Sequence, residues 1–79
     1  MNTMLLKIAT QEYVVYYYIP EGEGEPGEIR MDIGKDDPDI LSRASNDTAT
    51  GLYAHMAANA VKERVNKKIF PLEFTNAWH

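Results

Sequence analysis

Tyr13-Val14-Val15-Tyr16-Tyr17-Tyr18-Ile19-Pro20 is the stretch on which the fold turns. Tyrosine, valine and isoleucine are the residues that sit best on a pleated surface, so the run reads as a strand over 13–19, ended by Pro20. It has no polar side. Side chains alternate along a strand, which puts Tyr13, Val15, Tyr17 and Ile19 on one face and Val14, Tyr16 and Tyr18 on the other. An antiparallel sheet in a small two-layer domain needs only one buried face. The other tyrosine-bearing face is then a candidate surface, because a phenol joins a large apolar ring to a polar tip and suits protein interfaces. Val14, Tyr16 and Tyr18 are taken as that surface. The reverse assignment is the alternative, and a sheet curled enough to cover both faces is a third.

The flanking segments supply partners for this strand. Residues 4–9 alternate weakly, with Met4, Leu6 and Ile8 together, and read as a short strand. Glu21 to Glu28 runs E-G-E-G-E-P-G-E, an acidic loop of turn residues. From Glu28 to Ile33 the alternation is clean, with Ile29, Met31 and Ile33 on one side and Arg30 and Asp32 on the other. This predicts a half-exposed strand over 28–33, antiparallel to 13–19. Gly34 to Pro38 breaks the pattern. Residues 35–46 read as irregular, with Ile40 and Leu41 tucked into the core.

Asn46, Asp47 and Thr48 are N-cap residue types, and a helix is predicted over 47–69. Ala54, Ala58, Val61, Val65 and Ile69 recur at three- and four-residue steps, with Gly51 on the same stripe. Small residues there allow close approach to a sheet. Glu63 and Lys67 stand in the favourable i,i+4 order, and Pro71 stops the helix. Leu72, Phe74 and Trp78 alternate with polar or small residues, making 72–77 a candidate fourth strand. The expected architecture is α+β, one domain over 1–79: a small antiparallel sheet of three strands, with that fourth as a candidate, against one long C-terminal helix.

Composition limits function. A chain of 79 residues buries about 60–65% of its unfolded surface, so its core is thin. It has no cysteine, which removes disulfides and thiolate metal sites and suits a cytoplasmic setting. Good packing or self-association must then stabilise it. The net charge of −4 disfavours nucleic acid as a general partner. No stretch is long and apolar enough to read as a membrane span.

Motifs that suggest chemistry have plainer readings. Gly22, Gly24 and Gly27 spell G-x-G-x-x-G, but the loop leads into a strand, carries four glutamates and includes Pro26, which has no amide to offer a phosphate. Asp36, Asp37 and Asp39 lack the spacing of a calcium loop. His55 and His79 without cysteine do not make a zinc site. Ser42 and Ser45 lie in no nucleophile elbow. No metal, cofactor or catalytic residue is assigned, and the reading leans against an enzyme.

Tyr16-Tyr17-Tyr18-Ile19-Pro20-Glu21-Gly22, then Pro26-Gly27-Glu28-Ile29, then Tyr53-x-His55 and a closing Trp78 resemble a pattern of small bacterial proteins without an assigned activity. That resemblance implies one bacterial domain and carries over no site residues. The leading expectation is a non-catalytic interaction or regulatory module, pairing with itself or another protein through the 13–19 strand. One alternative is an enzyme or ligand-binding domain with a cleft near His55, with Tyr53 and His55 as weaker site candidates. Another is a binder of single-stranded nucleic acid, through Tyr16, Tyr18 and the basic helix end at Lys62, Arg64, Lys67 and Lys68.

Overall fold

The computed structural model describes residues 1–78, and His79 lies outside them. Along the chain the elements are β1 (Asn2–Ala9), β2 (Tyr13–Pro20), β3 (Gly27–Asp32), β4 (Asp39–Ser42), α1 (Leu52–Lys67) and β5 (Glu73–Asn76). The strands form one antiparallel sheet in the order β4-β3-β2-β1-β5. The expected α+β class holds, with five strands rather than three and a candidate fourth. The tyrosine strand is central, and the C-terminal segment becomes β5 beside β1.

Two differences from expectation have local causes. Residues 39–42 form β4 instead of an irregular segment, because the Gly34–Pro38 turn returns the chain alongside β3. Ile40 and Leu41 therefore lie on an edge strand, 48% and 54% exposed, and not in the core. The helix begins at Leu52, not near Asp47, because residues 47–51 form its capping loop. Gly51 is left-handed there (φ 74°). The Thr48 hydroxyl accepts from the Leu52 amide at 3.0 Å, and the Asp47 carboxylate accepts from the amides of Tyr53 and Ala54 at 3.0 and 3.1 Å. These bonds satisfy donors that have no carbonyl partner within the helix.

At its other end the helix closes before Pro71. Lys68 is left-handed (φ 56°), and the amides of Lys68 and Ile69 donate to the carbonyls of Val65 and Arg64. This is a Schellman closure. It puts Ile69 beyond the helix and largely exposed, so Ile69 leaves the predicted stripe. The buried helix positions are Ala54, Ala57, Ala60, Val61 and Val65, with Ala58 only partly buried.

The core lies between that stripe and Met4, Val14, Tyr16, Tyr18, Ile29 and Met31 of the sheet. Two buried tyrosines are tolerable because each hydroxyl finds a partner. Tyr16 donates to the Pro71 carbonyl at 2.7 Å. Tyr18 donates to Asp47 at 2.9 Å and accepts from the Ala44 amide at 2.9 Å.

Candidate interaction surface

The register of the β2–β3 hairpin decides which tyrosines face out. Val14 pairs with Met31 and Tyr16 with Ile29, and directly opposed residues share a face. Ile29 and Met31 are buried, so Val14, Tyr16 and Tyr18 go inward with them, and all are fully buried. The expectation that these three form the exposed surface is corrected on this ground. The helix occupies their side of the sheet.

The opposite face carries Tyr13, Val15, Tyr17 and Ile19 from β2, with Leu5 and Ile8 from β1 and Glu28, Arg30 and Asp32 from β3. No helix among the described residues lies on it. Its side chains shelter one another instead. Val15 is only 5% exposed, ringed by its neighbours, while Tyr13, Tyr17 and Ile19 are half-buried. The Arg30 guanidinium lies 4.0 Å from the centroid of the Tyr13 ring and bonds Asp32 at 2.8 Å. The Lys7 ammonium lies 5.3 Å from the centroid of Tyr17 and bonds Glu28 at 2.7 Å. A bulge between Leu6 and Ile8 brings Lys7 to this face. The result is an aromatic and aliphatic band flanked by two internally neutralised ion pairs.

That arrangement bears on the nucleic-acid alternative. Tyr16 and Tyr18 are enclosed and cannot stack on a base. Of the basic helix end, Lys62 bonds Asp37 at 3.1 Å, Lys67 bonds Glu63 at 2.9 Å, and Arg64 lies 4.1 Å over the Phe74 ring. The predicted Glu63–Lys67 pair is thus formed. A base-stacking groove needs free cations beside open aromatic rings, and the open tyrosines here stand beside cations already paired to carboxylates.

The weaker candidates, Tyr53 and His55, do not come together as a site. The Tyr53 hydroxyl donates to Glu21 at 2.8 Å, a bond that raises the pKa of the phenol, and its ring meets Trp78 edge-on at 5.3 Å. These contacts tie α1 to the β2–β3 loop and to the C-terminal segment. His55 is exposed on the helix. A cleft of about 330 Å³ does open one turn further along, between α1 and β5, but His55 is not in its wall. The alternative that needs His55 to line a cleft loses its footing there. A second cavity, about 320 Å³ and apolar, lies at the helix C-terminus among Ile33, Val65, Lys68 and Phe70. The Gly22–Gly27 stretch is a hairpin loop, as expected. No group of three or more His, Cys, Asp or Glu able to hold a metal occurs among the described residues, and Asp36 and Asp37 lie exposed in a turn. No helix among them is long and apolar enough to cross a membrane.

The hairpin register is what sequence reasoning lacked. The signal was the clean alternation of β3, which fixes the inward side of its partner strand once the pairing is known. Comparisons of the chain with protein-family models, with curated proteins and with solved structures give no match.

Proposed function

We propose that the chain is a small non-catalytic interaction module that self-associates through the helix-free face of its sheet. One observation carries the reading: the face bearing Tyr13, Val15, Tyr17 and Ile19 is aromatic and aliphatic, yet no element among the described residues covers it. Exposed apolar bands of this kind mark binding surfaces. A second copy is the favoured partner because the flanking charges, Lys7 with Glu28 and Arg30 with Asp32, cancel within each protomer. Two such faces can therefore meet without net repulsion. A thin core also gains from association. A cytoplasmic setting suits the absence of cysteine.

The test is the solution mass by light scattering over a hundredfold concentration range, with the wild type beside a Tyr13→Ser, Tyr17→Ser double variant. A dimeric wild type and a cooperatively folded monomeric variant support the reading. A wild type that stays monomeric throughout, or a variant that stays dimeric, overturns it.

A further inference from the structure

We infer that the outer edge of β5, together with the cleft between it and α1, is a docking groove for an extended peptide of another protein that carries an acidic side chain. This site is separate from the open sheet face and does not rest on the reading above.

The first observation is the direction of the backbone groups. β5 ends the sheet, so only one of its edges is paired. In an antiparallel ladder, successive residues turn their amide and carbonyl to alternate neighbours. The Glu21 amide donates to the Met1 carbonyl, so the odd-numbered residues of β1 serve β2 up to the bulge. The Leu6 amide donates to the Leu72 carbonyl, so the even-numbered residues serve β5. Met4 faces Phe74 and Asn2 faces Asn76. Phe74 and Asn76 therefore bond inward, while Glu73 and Thr75 turn their amides and carbonyls off the free edge. An edge of this kind is a template for an added strand.

The second observation is the cleft beside it, bounded by Met56, Asn59, Ala60 and Arg64 of α1 and by Phe74 to Ala77. Its volume of about 330 Å³ admits side chains. Thr75, whose side chain belongs to the opposite face of the sheet, borders the cleft at the strand edge. A strand paired with Thr75 would send alternate side chains toward Met56 and Ala60.

The third observation is charge. Arg64 lies over Phe74, 4.1 Å from the ring centroid, and lines the cleft. Its neighbour Glu63, 3.7 Å away, is bonded more closely by Lys67 at 2.9 Å, so on the helix side of the edge two cations share one carboxylate, while Glu73 belongs to the opposite face of the sheet. A guanidinium in this position favours a carboxylate, which it can bind through two parallel bonds. The amides of Asn59 and Asn76 offer further donors beside it.

The experiment pans the full chain against a random heptapeptide library on phage and measures a fluorescein-labelled synthetic copy of the selected peptide by anisotropy. Selected peptides should share an Asp or Glu. Binding should fall about tenfold or more in Arg64→Gln, which removes the charge-assisted bonds. It should fall as far in Thr75→Pro, which deletes an outward amide while leaving the β1 pairing intact. The Tyr13→Ser, Tyr17→Ser variant should bind like the wild type, which separates this site from the open sheet face. If Thr75→Pro does not fold, amide exchange at Thr75 in the wild type replaces it: the peptide should slow that exchange, and an unchanged rate overturns the proposal. No enrichment over an unrelated immobilised domain overturns it, as does full binding to a folded Thr75→Pro. A wild-type dimer that Thr75→Pro converts to a monomer without peptide also overturns it, because the edge then belongs to a second copy.

Discussion

The hydroxyl of Tyr18, rooted in the central strand, donates to the carboxylate of Asp47 at 2.9 Å, and that carboxylate also accepts the first free amides of the helix. One buried acid thus joins sheet to helix. Replacing Asp47 with alanine removes the cap and strands the Tyr18 hydroxyl. The expected loss is about 2–4 kcal/mol, combining a cap with an unsatisfied buried donor. Urea unfolding measures it, and Asp47→Asn should lose less, because an amide oxygen can still accept.

The same pair shapes the dependence of stability on pH. Burial pushes the Asp47 carboxyl up, but the bonds from Tyr18 and from the amides of Tyr53, Thr48 and Ala54 together outweigh it and hold it below the usual 3.8. Its contribution is therefore present above that value and is lost as the pH falls through the lowered one. Tyr18 behaves in the opposite sense. Burial first, then the neighbouring Asp47, push its phenol from 10.0 up to about 12. Its contribution is complete below 10 and is lost as the pH rises toward 12. Melting temperatures across the pH range should fall at both extremes. Asp47→Asn should flatten part of the acid limb, and Tyr18→Phe part of the alkaline one.

Gly27 lies under the Tyr18 ring, and a Cβ built there overlaps the ring and approaches the Ala44 amide at 2.6 Å. Gly27→Ala should cost about 3 kcal/mol or more, since neither a buried ring nor backbone can give way cheaply. Gly34 is the control. A Cβ there meets nothing within 4 Å, and only its positive φ of 90° opposes a side chain. Gly34→Ala should cost about 1 kcal/mol. Chemical denaturation of the two variants side by side decides whether the contact at Gly27 dominates.

Tyr16→Phe deletes the bond to the Pro71 carbonyl and nothing else of size. We expect a loss of about 1 kcal/mol. The loss should be felt locally, because Pro71 precedes the Leu72 carbonyl that accepts from Leu6. Hydrogen exchange should therefore quicken at the Leu6 amide more than at the amides of the β2–β3 ladder.

Much of this molecule was readable from residue type. Tyr13–Pro20 and Gly27–Asp32 announce themselves by β-favouring residues and alternation, and the helix by its alanine and valine spacing. β4 was not readable, because Asp39-Ile40-Leu41-Ser42 has no alternation of its own and becomes a strand only by lying beside β3. The helix start was misplaced for a related reason: Asp47 does cap the helix, but across a loop that its side chain spans. The outward face of β2 could not be chosen from a strand with tyrosines on both sides. The choice belongs to the cross-strand partners, Ile29 and Met31, and hence to tertiary structure.

The pairing of Asn2 with Asn76 gives the sheet a history as well as a shape. β1 is flanked on one side by β5, which lies more than sixty residues later in the sequence. While the chain emerges from the ribosome, β1 can pair with β2, and β3 can follow. The far edge of β1, with the amides and carbonyls of Asn2, Met4 and Leu6, stays open until Glu73–Asn76 arrives. Native pairing of that edge waits on the longest loop closure in the molecule, which is the slow kind of step. A nascent or truncated chain lacking residues 72–76 would present that edge to any other strand nearby, so the integrity of residues 72–76 governs how safely the earlier strands can fold.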